Sequence, residues 1–206
     1  MKFLCVPLLL AAAVAATPKI SLAQSSPATP HITGKREAAT MVPAQAALWH
    51  GLDARKVSVG YAIRARLSKK VLLKDGAELP AGSMLLGEVQ NDDMNVEGGS
   101  KLVLRFDKAQ LKGGKTVPIK ATIIGLFRPL DEDANGYPIV PGDQVSNYWN
   151  KGVLQVDQIN VLPGVNLHSR IASSNSGVLV STKKKEDMKL REGSEFLLAI
   201  APAHSA

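Results

Sequence analysis

The chain has 206 residues, a formal net charge of +7, one cysteine and only 4% aromatic residues. A single cysteine excludes an internal disulfide framework, so a hydrophobic core must stabilise the fold alone. Few aromatics and the lack of a nucleic-acid-binding motif argue against a DNA or RNA reader; the mild positive charge is compatible with an acidic envelope polymer or anionic headgroups.

In chain order, Met1-Lys2 and the apolar run Phe3 to Ala16 read as a secretory signal. The run is too short for a membrane-spanning helix, which needs roughly 20 residues. Two small-x-small sites follow, Ala13-Val14-Ala15 and Ser21-Leu22-Ala23, and we place cleavage after Ala23. The predicted mature chain then has no transmembrane helix and is exported to the periplasm, the outer membrane or the medium. Loss of Lys2 and Lys19 lowers the charge from +7 to +5, and Cys5 departs with the signal. Residues 24–55 are taken as a flexible lead-in. Its first part, to residue 40, is rich in Ser, Pro, Thr and Ala and has little to bury. Within residues 41–55, Ala44 to Leu48 could begin a helix, but the turn-like Leu52 to Lys56 favours extended structure.

From Val57 the period is two. Val59, Tyr61, Ile63, Ala65 and Leu67 alternate with Gly60, Ala62, Arg64, Arg66 and Ser68, which predicts a strand with one apolar face. Val71 to Leu73 precedes a turn at Asp75-Gly76, and Leu79-Pro80-Ala81-Gly82 turns into a strand over Ser83 to Val89. After the polar loop Asn91 to Ser100, Leu102, Leu104 and Phe106 should face inward and Arg105 and Asp107 outward. Lys112-Gly113-Gly114-Lys115 is another turn, and beyond it Val117, Ile119, Ala121 and Ile123 share a face. Residues 128–162 interrupt the rhythm with Pro129, Gly136, Pro138, Pro141 and Gly142, which marks a loop-rich insertion. Strand signals resume at Val165 to Ser173, Gly177 to Thr182, Met188 to Leu190 and Glu195 to Ala201. Leu73 to Pro80 and Leu111 to Pro118 both read L-K-x-G-x-x-[LV]-P, while Leu79 to Leu86 and Leu190 to Leu197 share L-x-x-G-S-x-[LF]-L. These echoes are either ordinary hairpin chemistry or a repeated unit. Short strands separated by glycine turns predict an all-β domain over residues 56–201, a small β-barrel or barrel-like sandwich.

The segment Ala62 to Ile124, with Leu79-Pro80-Ala81-Gly82-Ser83-Met84-Leu85-Leu86-Gly87, the strand Leu102 to Phe106 and the hairpin Gly113-Gly114 to Ile119, resembles the C-terminal β-barrel of the TrbI family of conjugal-transfer proteins. The resemblance covers roughly half of the mature chain, and Met188 to Ile200 is similar to that family's closing glycine turn and strand. It implies a barrel and a place in or near a type IV secretion apparatus. The chain departs from the family in beginning with a cleavable signal, without an inner-membrane helix and proline-rich stalk. The run from Leu52 to Val89 is also similar to small exported bacterial proteins, a relation that implies a fold and a compartment but no activity.

Three constellations carry chemistry. Asp131-Glu132-Asp133-Ala134-Asn135-Gly136 matches the oxygen spacing of a Ca²⁺ loop, with Asp131, Asp133, Asn135, the Tyr137 carbonyl and Asp143 as the candidate ligands. Asp143 falls one position late for the bidentate acid, and a solvated acidic turn explains the same residues. No other cofactor is indicated. Tyr148 and Trp149 beside Asn147 and Asn150 are a candidate partner or sugar-stacking surface, or else anchors for the insertion. Lys183, Lys184 and Lys185 read as a charged hairpin tip that could also bind acidic polymer. The four histidines have no metal-ligand spacing, and neither a G-x-S-x-G elbow nor a phosphate-binding loop occurs. The expectation is therefore a non-catalytic exported binding or scaffold module of the cell envelope, with an accessory secretion component as the alternative and an enzyme without a recognisable motif third. An envelope protein or acidic polymer is the expected partner class.

Overall fold

Alternation along six of the strands puts one apolar face inside, and pairing of the first with the last removes the open edges. The structure, a computed structural model, describes residues 40–129, 162–183 and 187–203. Its elements are all strands: β1 (Val42–Leu48), β2 (Leu52–Asp53), β3 (Ala62–Leu67), β4 (Val71–Leu72), β5 (Glu78–Leu79), β6 (Met84–Val89), β7 (Lys101–Gln110), β8 (Thr116–Phe127), β9 (Val165–His168), β10 (Gly177–Ser181), β11 (Lys189–Leu190) and β12 (Glu195–Pro202). Following the ladders, β1, β3, β6, β7, β8 and β12 form a ring in which every neighbour is antiparallel and β12 returns to β1. The closed six-stranded barrel, rather than a sandwich, is thus the architecture. β9 and β10 continue outward from β7, and β2–β11 and β4–β5 are short ribbons beside the ring. Among the described residues no helix is long and apolar enough to cross a membrane, a criterion that does not address strands.

The barrel is filled by its own side chains. Ala44, Ala46 and Leu48 from β1, Ile63, Ala65 and Leu67 from β3, and Leu102, Leu104 and Phe106 from β7 belong to one buried cluster with Phe196, Leu198 and Ile200 of β12. Phe106 and Phe196 meet edge to face at 5.7 Å between centroids. Each fully buried Leu, Ile or Phe contributes about 1.5–3 kcal/mol. Small residues opposite large ones let the layers interdigitate in so narrow a ring.

Two bulges and a wedge shape the wall. The β6–β7 register shifts between Leu86 and Gly87, and a β-carbon on Gly87 would collide with the Arg105 carbonyl group and the Phe106 Cα. Only glycine fits where the bulged strand presses on its partner. The β8–β12 register shifts between Leu197 and Leu198, which lets Ile123 and Leu126, three residues apart, both face the core. β7 and β8 pair only through Lys108–Gln110 and Thr116–Pro118. Farther along, Ser176 fills the gap between them. Its N–H donates to the Leu104 carbonyl and its own carbonyl accepts from Ile123 N–H, both at 2.7 Å. Its Oγ accepts from Phe106 N–H at 2.9 Å.

The sequence echoes are equivalent pieces of this wall. Gly76 N–H donates to Leu73 O and Leu73 N–H to Ala77 O; Gly114, Leu111 and Lys115 repeat the pattern. Both glycines have φ above +80° (87° and 81°), in the left-handed region that glycine occupies without steric cost. The second echo is closer still. Gly82 N–H donates to Leu67 O and Leu67 N–H to Ser83 O, while Gly193 N–H donates to Leu48 O and Leu48 N–H to Ser194 O, all four at 2.8 Å. The unit β3–β4 with β5–β6 therefore matches β1–β2 with β11–β12: a long strand, a short ribbon and a glycine turn returning beside the long strand.

Several expectations are corrected. The lead-in does not extend to residue 55, because Val42–Leu48 is a barrel strand paired on both sides and Leu52–Asp53 pairs with β11. Val59 and Tyr61 do not share the inward face of β3; they are 55% and 44% exposed, since the ladder begins only at Ala62. Thr122 and Ile124, which alternate with the inward residues of β8, are buried too, as is Val103 on β7. Ile124 joins a second apolar cluster outside the ring with Met41, Ile171, Leu197, Ala199 and Ala201, and Val103 a third with Val178 and Val180. Lys183 is not at the tip of a hairpin, because β10 pairs with β7 and β9 whereas β11 pairs with β2. The insertion leaves the barrel after Phe127 and returns at Leu162, which bridges to Val165; residues 130–161 lie outside the described residues.

Candidate binding cleft beside strands β1 and β3

Period two decides which side chains meet solvent. Ala44, Ala46 and Leu48 of β1 point inward, so Trp49, the next residue, points out. On β3 the inward set is Ile63, Ala65 and Leu67, which leaves Arg64 and Arg66 outward and exposed. The ladder runs one step past β1, as Trp49 N–H donates to Arg64 O at 2.9 Å. Ala47 lies opposite Arg66, too small to cover it. The Arg66 guanidinium accordingly lies over the Trp49 ring, 6.0 Å from its centroid, and the His50 ring meets Trp49 edge-on at 6.1 Å. An exposed cation–π pair of this kind is worth about 0.5–1 kcal/mol.

At the head of β3, Gly60 with φ +85° turns the chain. Gly60 N–H donates to Val89 O, and Val89 N–H to Tyr61 O. These bonds hold Tyr61 against the end of β6, and Tyr61 shares a cleft lining with Leu48 and His50 at the end of β1. Between these segments lies a cleft of about 300 Å³, lined by Leu48, His50, Leu52, Tyr61, Ala62, Ile63 and Arg64. Its floor is apolar, and its rim carries an imidazole, a phenol and a guanidinium. Trp49 and Tyr61 are 42% and 44% exposed. Among the described residues neither Arg64 nor Arg66 takes part in an ion pair. The acid on the same face, Glu88, stands opposite Ala62 and accepts a 2.7 Å hydrogen bond from Gln90 Nε2.

A second polar cluster is structural. Asp92 accepts from Met94 N–H, Val96 N–H and, at 3.0 Å, from Lys101 Nζ. Burial opposes its ionisation, but the Lys101 ammonium and these N–H donors outweigh it and hold the carboxyl below its ordinary pKa. Asp93 accepts from Ser173 Oγ, Ser174 Oγ and Asn175 Nδ2. Asp92 thus closes the loop after β6 on itself and onto Lys101 of β7, and Asp93 ties that loop to the segment that supplies the Ser176 wedge. Both are saturated with donors.

Of the residues singled out by sequence, Asp131, Asp133, Asn135, Tyr137, Asp143, Tyr148, Trp149, Lys184 and Lys185 lie outside the described residues. Lys183 is exposed, and its N–H meets Ser181 Oγ at 3.3 Å. Among the described residues no three His, Cys, Asp or Glu side chains converge as a metal site. Sequence reasoning did not find the cleft, because His50 and Leu52 lay in the supposed lead-in and Tyr61 was assigned to the core. The available signal was Leu48-Trp49-His50, where an inward residue is followed directly by two large polar-edged rings.

No family model matches the chain, and no curated protein matches it in sequence. Among solved structures it is similar to ComB10 of the Com type IV secretion system of Helicobacter pylori, with a TM-score of 0.38 and 12% identity over 79% of this chain and 85% of that one.

Proposed function

We propose that the chain is a non-catalytic, exported binding or scaffold module of the cell envelope. The observation that carries this reading is the cleft beside β1 and β3, rimmed by half-exposed Tyr61 and by Arg64, which has no ion-pair partner among the described residues, with half-exposed Trp49 next to it in the chain, on a barrel whose interior is packed with apolar side chains. Half-exposed aromatics next to arginine are the composition of binding hot spots. Export is supported by the signal-like residues 1–23. The test is mild crosslinking of the tagged protein in its native cells, with fractionation and mass spectrometry. Enrichment of envelope components in crosslinked material is the expected result. A species confined to the cytoplasm, or recovered free of envelope components, refutes the reading.

A second reading, an accessory component of a secretion or conjugation apparatus, is favoured by the resemblance of Ala62 to Ile124 to the TrbI barrel. Its glycine-turn segment, Leu79 to Gly87, spans the end of β5, the Gly82 turn and most of β6 in this chain. The same experiment separates the two, since this reading requires recovery in a large outer-membrane complex with secretion components.

A further inference from the structure

Resting on the reading of the chain as an exported envelope module, we infer that one end of the barrel is a docking face for an anionic phospholipid bilayer. Lysines on two neighbouring hairpin tips meet the lipid phosphates, and Leu72 among them enters the headgroup layer.

The ladders define this end. The β4–β5 ribbon joins the end of β3 to the start of β6, and Met84 there stands opposite Gln110, where β7 turns into β8. The ribbon and the turn at residues 111–115 therefore share one end of the ring. Side chains close the gap between them: a β-carbon on Gly82, just after β5, would lie 3.5 Å from Lys112 Cε and 3.6 Å from Arg66 Nε. Segments 66–78 and 111–115 hold six Lys or Arg and two acids, and all six cations are exposed. Of the acids, Glu78 pairs with Lys70 at 3.4 Å and Asp75 accepts from Ala77 N–H. The opposite end, made by the β2–β11 ribbon and the loop after β6, is balanced. Its segments 53–56, 91–101 and 187–192 hold six acids and five Lys or Arg. Glu88 and Asp107 belong to the wall between the ends, where Arg105 lies opposite the first and 3.9 Å from the second. Positive charge is thus polarised along the barrel, which orients it at a negative surface.

Charge alone would suit any polyanion; Leu72 selects a bilayer. Exposure alternates along residues 70–74, so Lys70, Leu72 and Lys74 face solvent while Val71 and Leu73 are buried in the core. Leu72 is 60% exposed, more than Trp49, Val59 or Tyr61. At a bilayer interface an apolar side chain is buried while neighbouring lysines keep their ammonium groups among the headgroups. A soluble acidic chain offers no apolar layer. Glycine turns at Gly76 and Gly114 already close both tips, so docking orders no hairpin.

Flotation of the full mature chain with vesicles tests the inference. The probes are vesicles of equimolar phosphatidylcholine and phosphatidylglycerol, vesicles of phosphatidylcholine alone, and soluble polyglutamate as competitor. The chain should float with the anionic vesicles only and be released as salt is raised. Lys74→Ala with Lys112→Ala should weaken binding about 25-fold, from about fivefold for each charge near the surface. Lys56→Ala with Arg191→Ala removes the same charge from exposed sites at the opposite end and should change binding less than about twofold. Leu72→Ala should weaken it about 10-fold through partial burial of the isobutyl group. All five residues are exposed, so unchanged thermal melts are the folding control. Failure to float with anionic vesicles, or equal loss in the two double variants, overturns the proposal. Displacement by polyglutamate together with unaltered binding by Leu72→Ala overturns it in favour of a soluble acidic partner. If vesicles fail while crosslinking in cells still recovers envelope components, the docking face alone falls and the envelope-module reading stands.

Discussion

Replacing Ser176 with alanine isolates one atom of the wedge that joins β7 to β8. The backbone bonds to Leu104 and Ile123 do not involve the side chain and persist in the variant. What disappears is Oγ, the acceptor for Phe106 N–H, at a residue 1% exposed. Phe106 is itself 1% exposed, so water has no ready access to the stranded donor. An unpaired buried N–H costs about 1–3 kcal/mol. For a chain of this size about 2–4 °C of melting temperature is lost per kcal/mol, so Ser176→Ala should melt about 2–12 °C lower. Urea unfolding should show a lower midpoint with an unchanged slope, since the exposed area on unfolding is the same. Hydrogen exchange adds a local readout: the Phe106 amide should lose protection beyond the global destabilisation. The control is Ser174→Ala, which removes an exposed hydroxyl from Asp93 and should cost less than about 0.5 kcal/mol. If Ser176→Ala is no more destabilised than that control and the Phe106 amide stays as protected as before, the wedge is not held through Oγ and the reasoning fails.

Gly87→Ala should destabilise the barrel by at least about 2–3 kcal/mol in urea unfolding, because the new methyl meets backbone of Arg105 and Phe106, which cannot rotate away. Gly113→Ala, with nothing within 4 Å and φ outside the left-handed region, should be neutral or stabilising by up to about 1 kcal/mol; the reverse order would refute the bulge account. Burial raises the pKa of Glu195 despite a 3.4 Å hydrogen bond from Ser68 Oγ. The folded state therefore holds this proton more tightly, and its contribution is intact below the ordinary carboxyl pKa and lost as pH rises through the raised value. Glu195→Gln should consequently be more stable than the natural chain at neutral pH, with the gap closing in acid. Denaturation curves across about pH 3 to pH 8 check the sign, and a pH-independent gap would count against it.

Much of the wall was legible from residues alone. Leu102, Leu104 and Phe106 face inward as their alternation predicts, and the turns fall at Gly76, Gly82 and Gly114, where positive φ demands glycine. These are local properties, fixed by a two-residue period and by backbone sterics. Alternation failed where a strand is buried on both faces. Thr122, Ile124 and Val103 look solvent-facing in a one-sided pattern, yet segments distant in the chain cover them. β1 was hidden for a related reason: its alanines carry weak strand preference, and only pairing with β3 and β12 gives Ala44 and Ala46 a buried role.

Sequence by itself determined that this chain makes short antiparallel strands with glycine turns, because those choices depend on neighbours a few residues away. Only the tertiary structure decided that the sheet closes, that Ser176 bridges β7 and β8, and that His50, Tyr61 and Arg64 share one cleft. Each of those depends on backbone or side-chain contacts between residues more than ten positions apart, and closure of the ring brings them together. A barrel's register is a global constraint. Every strand must satisfy both of its neighbours at once, and no window of the sequence contains both.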